Sequence, residues 1–212
     1  MHAEPAKLGS DSDPIRQMFF ASQSLQEMVK TAKLDGKPSP FQSMADSFRF
    51  VQEGKKSEAI STLQGILKEP DLETRVQLWV WTALRDLGVQ PDQRQGGEVL
   101  GVVIEMPMQN GYDTLAAYVD GTARYLNFSG AAIFWDQRDE KIKGLCQAFI
   151  DSTIPASNRA TPRRSLNLPK SGGQVTLLTR SGIYAIPNPP ESAINAGAAL
   201  MIELMRRASQ GK

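Results

Sequence analysis

The chain has 212 residues, 41% of them hydrophobic and 22% charged, the composition of a folded globular protein rather than of a disordered or fibrous one. Lys and Arg total 24 against 23 Asp and Glu, so no global field draws nucleic acid or an anionic membrane, and charge-driven binding has to be local. One cysteine excludes an internal disulfide framework, the first residues lack the apolar core of a secretory signal, and no run reaches the roughly 20 apolar residues of a membrane span, which together predict a cytoplasmic protein with no membrane contact.

Residues 1–12 are expected to form a flexible tail. Asp13 as N-cap and Pro14 at the first helical position then predict one helix to about Lys33, with Met18, Leu25, Val29 and Ala32 as its apolar stripe, stopped by Gly36 and Pro38. Ser39 and Pro40 open a second helix with Phe41, Met44, Ala45, Phe48 and Val51 on one face, closed by Gly54. A third, over residues 56–69, buries Ala59, Ile60, Leu63, Ile66 and Leu67; Pro70 breaks it and Asp71 caps a fourth that ends near Gly88. The fourth carries Leu72, Val76, Trp79, Ala83, Leu84 and Leu87 on one side, while Val80 and Trp81 point elsewhere. A helix apolar around more than one face is covered twice, which makes Trp79 and Trp81 the partner-binding candidates, either at the joint to the next domain or as anchors for another protein. Residues 13–90 thus read as an all-helical domain.

Within it, a short helix, the Gly54 turn, Ser57-Glu58-Ala59-Ile60 opening a second helix and Pro70 ending it form a recurring arrangement, and Gly88 follows Gly54 at a period of 34 residues. Residues 41–88 in this respect resemble a tetratricopeptide repeat. That resemblance implies helical hairpins and a protein-interaction role.

Residues 91–97, rich in Pro, Gln, Asp and Gly, read as a linker, and residues 98–212 as an antiparallel α+β domain. Four strands, at 98–106, 114–119, 123–128 and 131–135, are separated by Asn110-Gly111, Asp120-Gly121 and Ser129-Gly130, the signature of a meander. The third strand carries apolar residues on both faces, so both are expected to be partly covered. Asp136 is the candidate cap of a helix burying Ile142, Leu145, Cys146, Phe149 and Ile150, with Cys146 as core filling rather than a reactive thiol. After an irregular segment come a hairpin, 174–179 and 183–186 around Arg180-Ser181-Gly182, and a last helix whose apolar stripe is Ile194, Ala198, Met201 and Met205. The fold class is α+β: tetratricopeptide-like N-terminal hairpins, then an antiparallel sheet built as four-strand meander, helix, hairpin and helix.

The only histidine is His2, in the expected tail, and there is no phosphate-binding or dinucleotide glycine motif and no Cys pair at zinc spacing. No catalytic residue, metal site or cofactor is therefore expected. Carboxylates are the remaining route to acid–base chemistry, and Glu105, Asp113, Asp120 and Asp136 lie in or beside the meander, although Asp113 and Asp120 also suit turns. Residues 152–190 hold Arg159, Arg163, Arg164, Lys170 and Arg180 without one acidic residue, a local positive field that could bind a phosphate, a nucleic-acid backbone or an acidic partner; between Ile150 and Gly182 there is no aromatic for base stacking. Tyr112, Tyr118, Tyr125 and Trp135 form a further polar-aromatic set, core filling for most of them. The leading reading is a non-enzymatic protein-interaction or adaptor module with a protein partner, homo-oligomerisation left open. The alternatives are an anion or nucleic-acid-backbone binder through the basic segment and a carboxylate-based enzyme.

Overall fold

The computed structural model describes residues 14–32 and 40–210. The expected tail over 1–12 with His2, the Asp13 and Ser39 caps, and the stop at Gly36 and Pro38 lie outside the described residues. Two compact units form: one from the described chain up to Phe20, Val99–Leu178 and the chain from Ile183, the other from Ala21–Glu98 with Thr179–Gly182. Residues 14–20, expected to head the helical domain, thus belong with the sheet, and the tip of the last hairpin belongs with the helices.

The single first helix expected from the sequence is two. Helix α1 (Pro14–Met18) ends in a turn, and Ala21 at φ 46° turns the backbone before α2 (Leu25–Ala32). A capping box starts α2: the Glu27 amide donates to Ser24 Oγ at 3.3 Å while Glu27 Oε2 accepts the Ser24 amide at 2.8 Å, and this local pairing outcompetes a continuous helix.

The helical unit continues with α3 (Phe41–Gln52), α4 (Lys56–Ile66) and α5 (Thr74–Asp86). Gly54, at φ +74°, makes the left-handed turn between α3 and α4 that a side chain would strain. Met44, Ala45, Ala59, Leu63, Ile66, Val76, Val80 and Leu84 fill this core. Asp71 does not cap α5: it sits at φ 56°, Glu73 is the N-cap, and it supplies no side-chain cap bond. The expected linker contains one turn of helix, α6 (Gln93–Gly96), capped by Asp92, whose Oδ1 accepts the Arg94 amide at 2.7 Å.

The other unit is built on a seven-stranded sheet of β1 (Val99–Met108), β2 (Gly111–Tyr118), β3 (Ala123–Leu126), β4 (Ala132–Trp135), β5 (Thr161–Pro162), β6 (Gln174–Thr179) and β7 (Gly182–Pro187), in the order β4-β3-β2-β1-β6-β7-β5. The meander pairs antiparallel as expected, Ile104 opposite Leu115 and Leu115 opposite Tyr125. Strand β1 runs two residues beyond its expected end, carrying the exposed Pro107 opposite Tyr112. The Asp120-Gly121 turn between β2 and β3 requires glycine, since Gly121 is at φ +86° and a Cβ there would lie 2.9 Å from that of Lys143.

Both sheet faces are covered, as β3 shows by burying Ala123, Arg124, Tyr125 and Leu126 in succession. On one face Val102, Ile104, Leu115, Ala117, Val175 and Leu177 pack with Ile142, Cys146, Phe149 and Ile150 of α7 (Glu140–Thr153) and Leu200 and Leu204 of α8 (Glu191–Gln210). Asp139, not Asp136, caps α7, accepting the Lys141 and Ile142 amides at 3.0 Å; Asp136 instead pairs with Arg124. On the opposite face the α1 segment brings Arg16, Phe19 and Phe20, each fully buried or nearly so. Tyr118 Oη donates to Phe19 O at 2.6 Å, and Phe19 meets Phe134 edge to face. No helix among the described residues is long and apolar enough to cross a membrane.

Candidate functional site

Helix α8 carries two adjacent apolar stripes, and only one of them is fully buried. The buried residues are Ala193, Gly197, Leu200, Glu203 and Leu204, one position earlier than the stripe Ile194, Ala198, Met201 and Met205 expected from the sequence. Counting large apolar residues favoured the second stripe. Packing favoured the first, because Gly197 has no side chain and lets α8 close on Phe149 and Leu115. Ile194, Ala198 and Met201 are left half-buried, Met205 is 41% exposed and its neighbour Ile202 59%.

The stranded stripe walls a groove of about 150 Å³. Its floor comes from β1, β2 and β3: Ile104, Met106 and Met108, then Leu115, Asp113 and Tyr125. The register explains this set, since Met106 pairs with Asp113 and Ile104 with Leu115, so these residues share a face. Thioether side chains are flexible and polarisable, and three of them here give a surface that adapts to what it covers.

Among the described residues Asp113 is the one charged residue lining the groove. Tyr125 Oη donates to its Oδ2 at 2.7 Å and the Phe128 amide to its Oδ1 at 2.9 Å, both neutral donors. Among the described residues no cation pairs with Asp113, and a carboxylate accepting one bond on each oxygen retains free lone pairs. Burial, then the hydrogen bond and charge of Asp113, raise Tyr125 well above the ordinary tyrosine range, so its hydroxyl remains a donor at neutral pH.

A second cluster, on the other sheet face, concentrates charge. Glu105 divides its carboxylate: Oε1 accepts Arg16 Nε at 2.7 Å and pairs with Arg16 Nη2, while Oε2 accepts Arg163 Nη1 at 2.7 Å. Arg163 also donates to Thr176 Oγ1 at 2.6 Å, Ser165 O at 3.0 Å and Asn167 O at 2.8 Å. Phe20 lies against both guanidinium groups, with centroid distances of 5.4 Å to Arg16 and 4.8 Å to Arg163. One side chain thus fastens the segment after β5 to the sheet. Arg16 was not foreseen, although it shares a helical face with Phe19 and Phe20, and a lone Glu105 inside an apolar strand run was the signal that a cation had to reach it.

The five basic residues of residues 152–190 fall into different settings. Arg163 is committed to Glu105, and Arg180, in the helical unit, pairs with Glu98 and donates to Gln95 O at 3.1 Å. Arg159, Arg164 and Lys170 are exposed. In the helical unit Trp79 is only 8% exposed, with the Arg75 guanidinium 5.4 Å from its ring, and Trp81 is half-buried. Of the four carboxylates considered for acid–base chemistry, Glu105 and Asp113 project from opposite faces, Asp120 accepts the Thr122 amide and hydroxyl, and Asp136 pairs with Arg124. Tyr112 donates to Pro169 O at 2.7 Å, and Trp135 is half-buried beneath Arg207. Cys146 is fully buried, and desolvation, with the charge of Asp120, pushes its thiol up to about 12, the state of an inert core residue.

No family model matches the chain, and neither a curated protein nor a solved structure is detectably similar to it.

Proposed function

We propose that this chain is a protein-interaction module, and that its sheet unit holds an apolar side chain of a partner polypeptide in the groove beside α8. The observation that carries this reading is the second apolar stripe of α8, which the sheet unit covers only in part and which lines a concave site together with Met106 and Met108. Exposed apolar surface on a folded chain is unfavourable by about 25 cal/mol per Å², and a concave, methionine-lined patch is a common form of recognition site. A volume of about 150 Å³ accepts one aromatic ring or one aliphatic side chain. Ile202 and Met205 extend the patch along α8 beyond the groove, which suits a polypeptide with flanking contacts better than an isolated small molecule.

The basic segment is a weaker basis for function, because two of its five cations already face carboxylates. The helical unit, with Trp79 buried, has Trp81 and Val51 among its partly open apolar residues.

A displayed library of random peptides selected against the full chain tests the proposal. Enriched peptides should share an apolar anchor, and their binding should be lost in Ala198→Trp, which fills the groove, and weakened in Met108→Asp at its exposed rim, each variant first checked for native circular dichroism. Peptides that bind both folded variants as well as the parent would contradict it.

A further inference from the structure

We infer that the occupant of this groove is an apolar side chain followed directly by a lysine or arginine in the partner's sequence, with Asp113 as the residue that selects the cation. The inference rests on the groove being the docking site and adds what it selects. Asp113 lies within the apolar lining, its carboxylate partnered only by the Tyr125 hydroxyl and the Phe128 amide. Those two bonds fix the carboxylate without neutralising it. Elsewhere the sheet unit behaves differently: Glu105 meets two guanidinium groups, Asp136 meets Arg124, and Glu203 meets Arg206, Arg207 and Lys141. Among these carboxylates Asp113 differs in having only neutral donors, and it lines the groove.

A negative charge half-withdrawn from water beside apolar surface interacts more strongly with an arriving charge than it would on an open face. A cation adjoining the apolar anchor gains the free lone pairs of Asp113, a neutral residue gains one hydrogen bond, and a carboxylate is repelled. Tyr125 is a positioning residue: its hydroxyl holds Oδ2, and Asp113 is anchored at both oxygens before any partner arrives.

The test uses three capped pentapeptides, Gly-Ser-Phe-Lys-Gly and its analogues with Gln or Glu in place of Lys, titrated at millimolar concentration into the full chain carrying 13C-methyl methionine. The methyl signals of Met106, Met108 and Met201 report occupancy. The lysine peptide should bind at least about fivefold more tightly than the glutamate peptide, with glutamine between, and Asp113→Asn should erase the order while leaving the glutamine peptide nearly unchanged. Equal binding of all three, or an order that survives Asp113→Asn, would overturn the cation selection and leave the groove reading standing. If none of the three moves these methyls, or if the methyls shift with protein concentration alone because a second copy of the chain fills the groove, both readings fail.

Discussion

Arg163 Nη1 donates to Glu105 Oε2 at 2.7 Å, joining residues 58 apart in the chain across a buried sheet face. The other carboxylate oxygen faces Arg16, so Glu105 meets two cations whose side chains are almost wholly out of water. Such a cluster stabilises little against an apolar replacement of the same shape, yet is costly to break on one side, because the remaining charges stay buried. Glu105→Ala is accordingly expected to cost about 3–5 kcal/mol in denaturant unfolding. Arg163→Ala should in addition speed amide exchange near Ser165 and Asn167, whose carbonyls that side chain binds.

Gly65 in α4 and Gly144 in α7 are exposed, and a Cβ at either would meet nothing within 4 Å. Glycine in a helix interior is unfavourable by about 0.5–1 kcal/mol against alanine, chiefly through the freedom it gives the unfolded chain. Gly65→Ala and Gly144→Ala should each raise the denaturant midpoint of the unit that contains it.

Trp79 is buried and Trp81 is half-buried. Trp79→Ala should therefore cost about 3–5 kcal/mol of stability by cavity formation. Trp81→Ala should cost clearly less, and comparison of the two denaturation curves checks the order.

Glu203 on α8 is ringed by Arg206, Arg207 and Lys141, whose hydrogen bonds hold its carboxyl well below the usual carboxylate range. A folded-state value below the unfolded one means that the unfolded chain takes up the proton first as pH falls. The contribution is complete above the unfolded value of about 4.3 and is lost progressively below it. Glu203→Gln should lower the melting temperature at neutral pH and bring the two proteins closer together at acid pH, as thermal melts across that range would show.

The antiparallel meander was readable because its signals are local: the turn dipeptides and the short apolar runs between them each act within a few residues. The break between α1 and α2 was local too, written in Ser24 and Glu27, but hidden by the longer apolar period running across it. The groove was not readable. Its existence turns on α8 burying the Ala193 and Gly197 stripe in place of the Ile194 and Met201 stripe, a choice made by Phe149 and Leu115, which lie far away in sequence. Nor could the sequence tell that Asp113 would face that groove without a cation while Arg163 crossed to Glu105, since both depend on strand register and on the path of the segment after β5.

The most direct measurement is a methionine-methyl NMR map of the full chain with the tightest peptide from the library selection. Met106, Met108 and Met201 should shift together, while Met44, buried in the helical unit, stays in place. Shifts confined to Met44 and its helical neighbours, with the three groove methyls unmoved at saturation, would contradict the groove as the docking site.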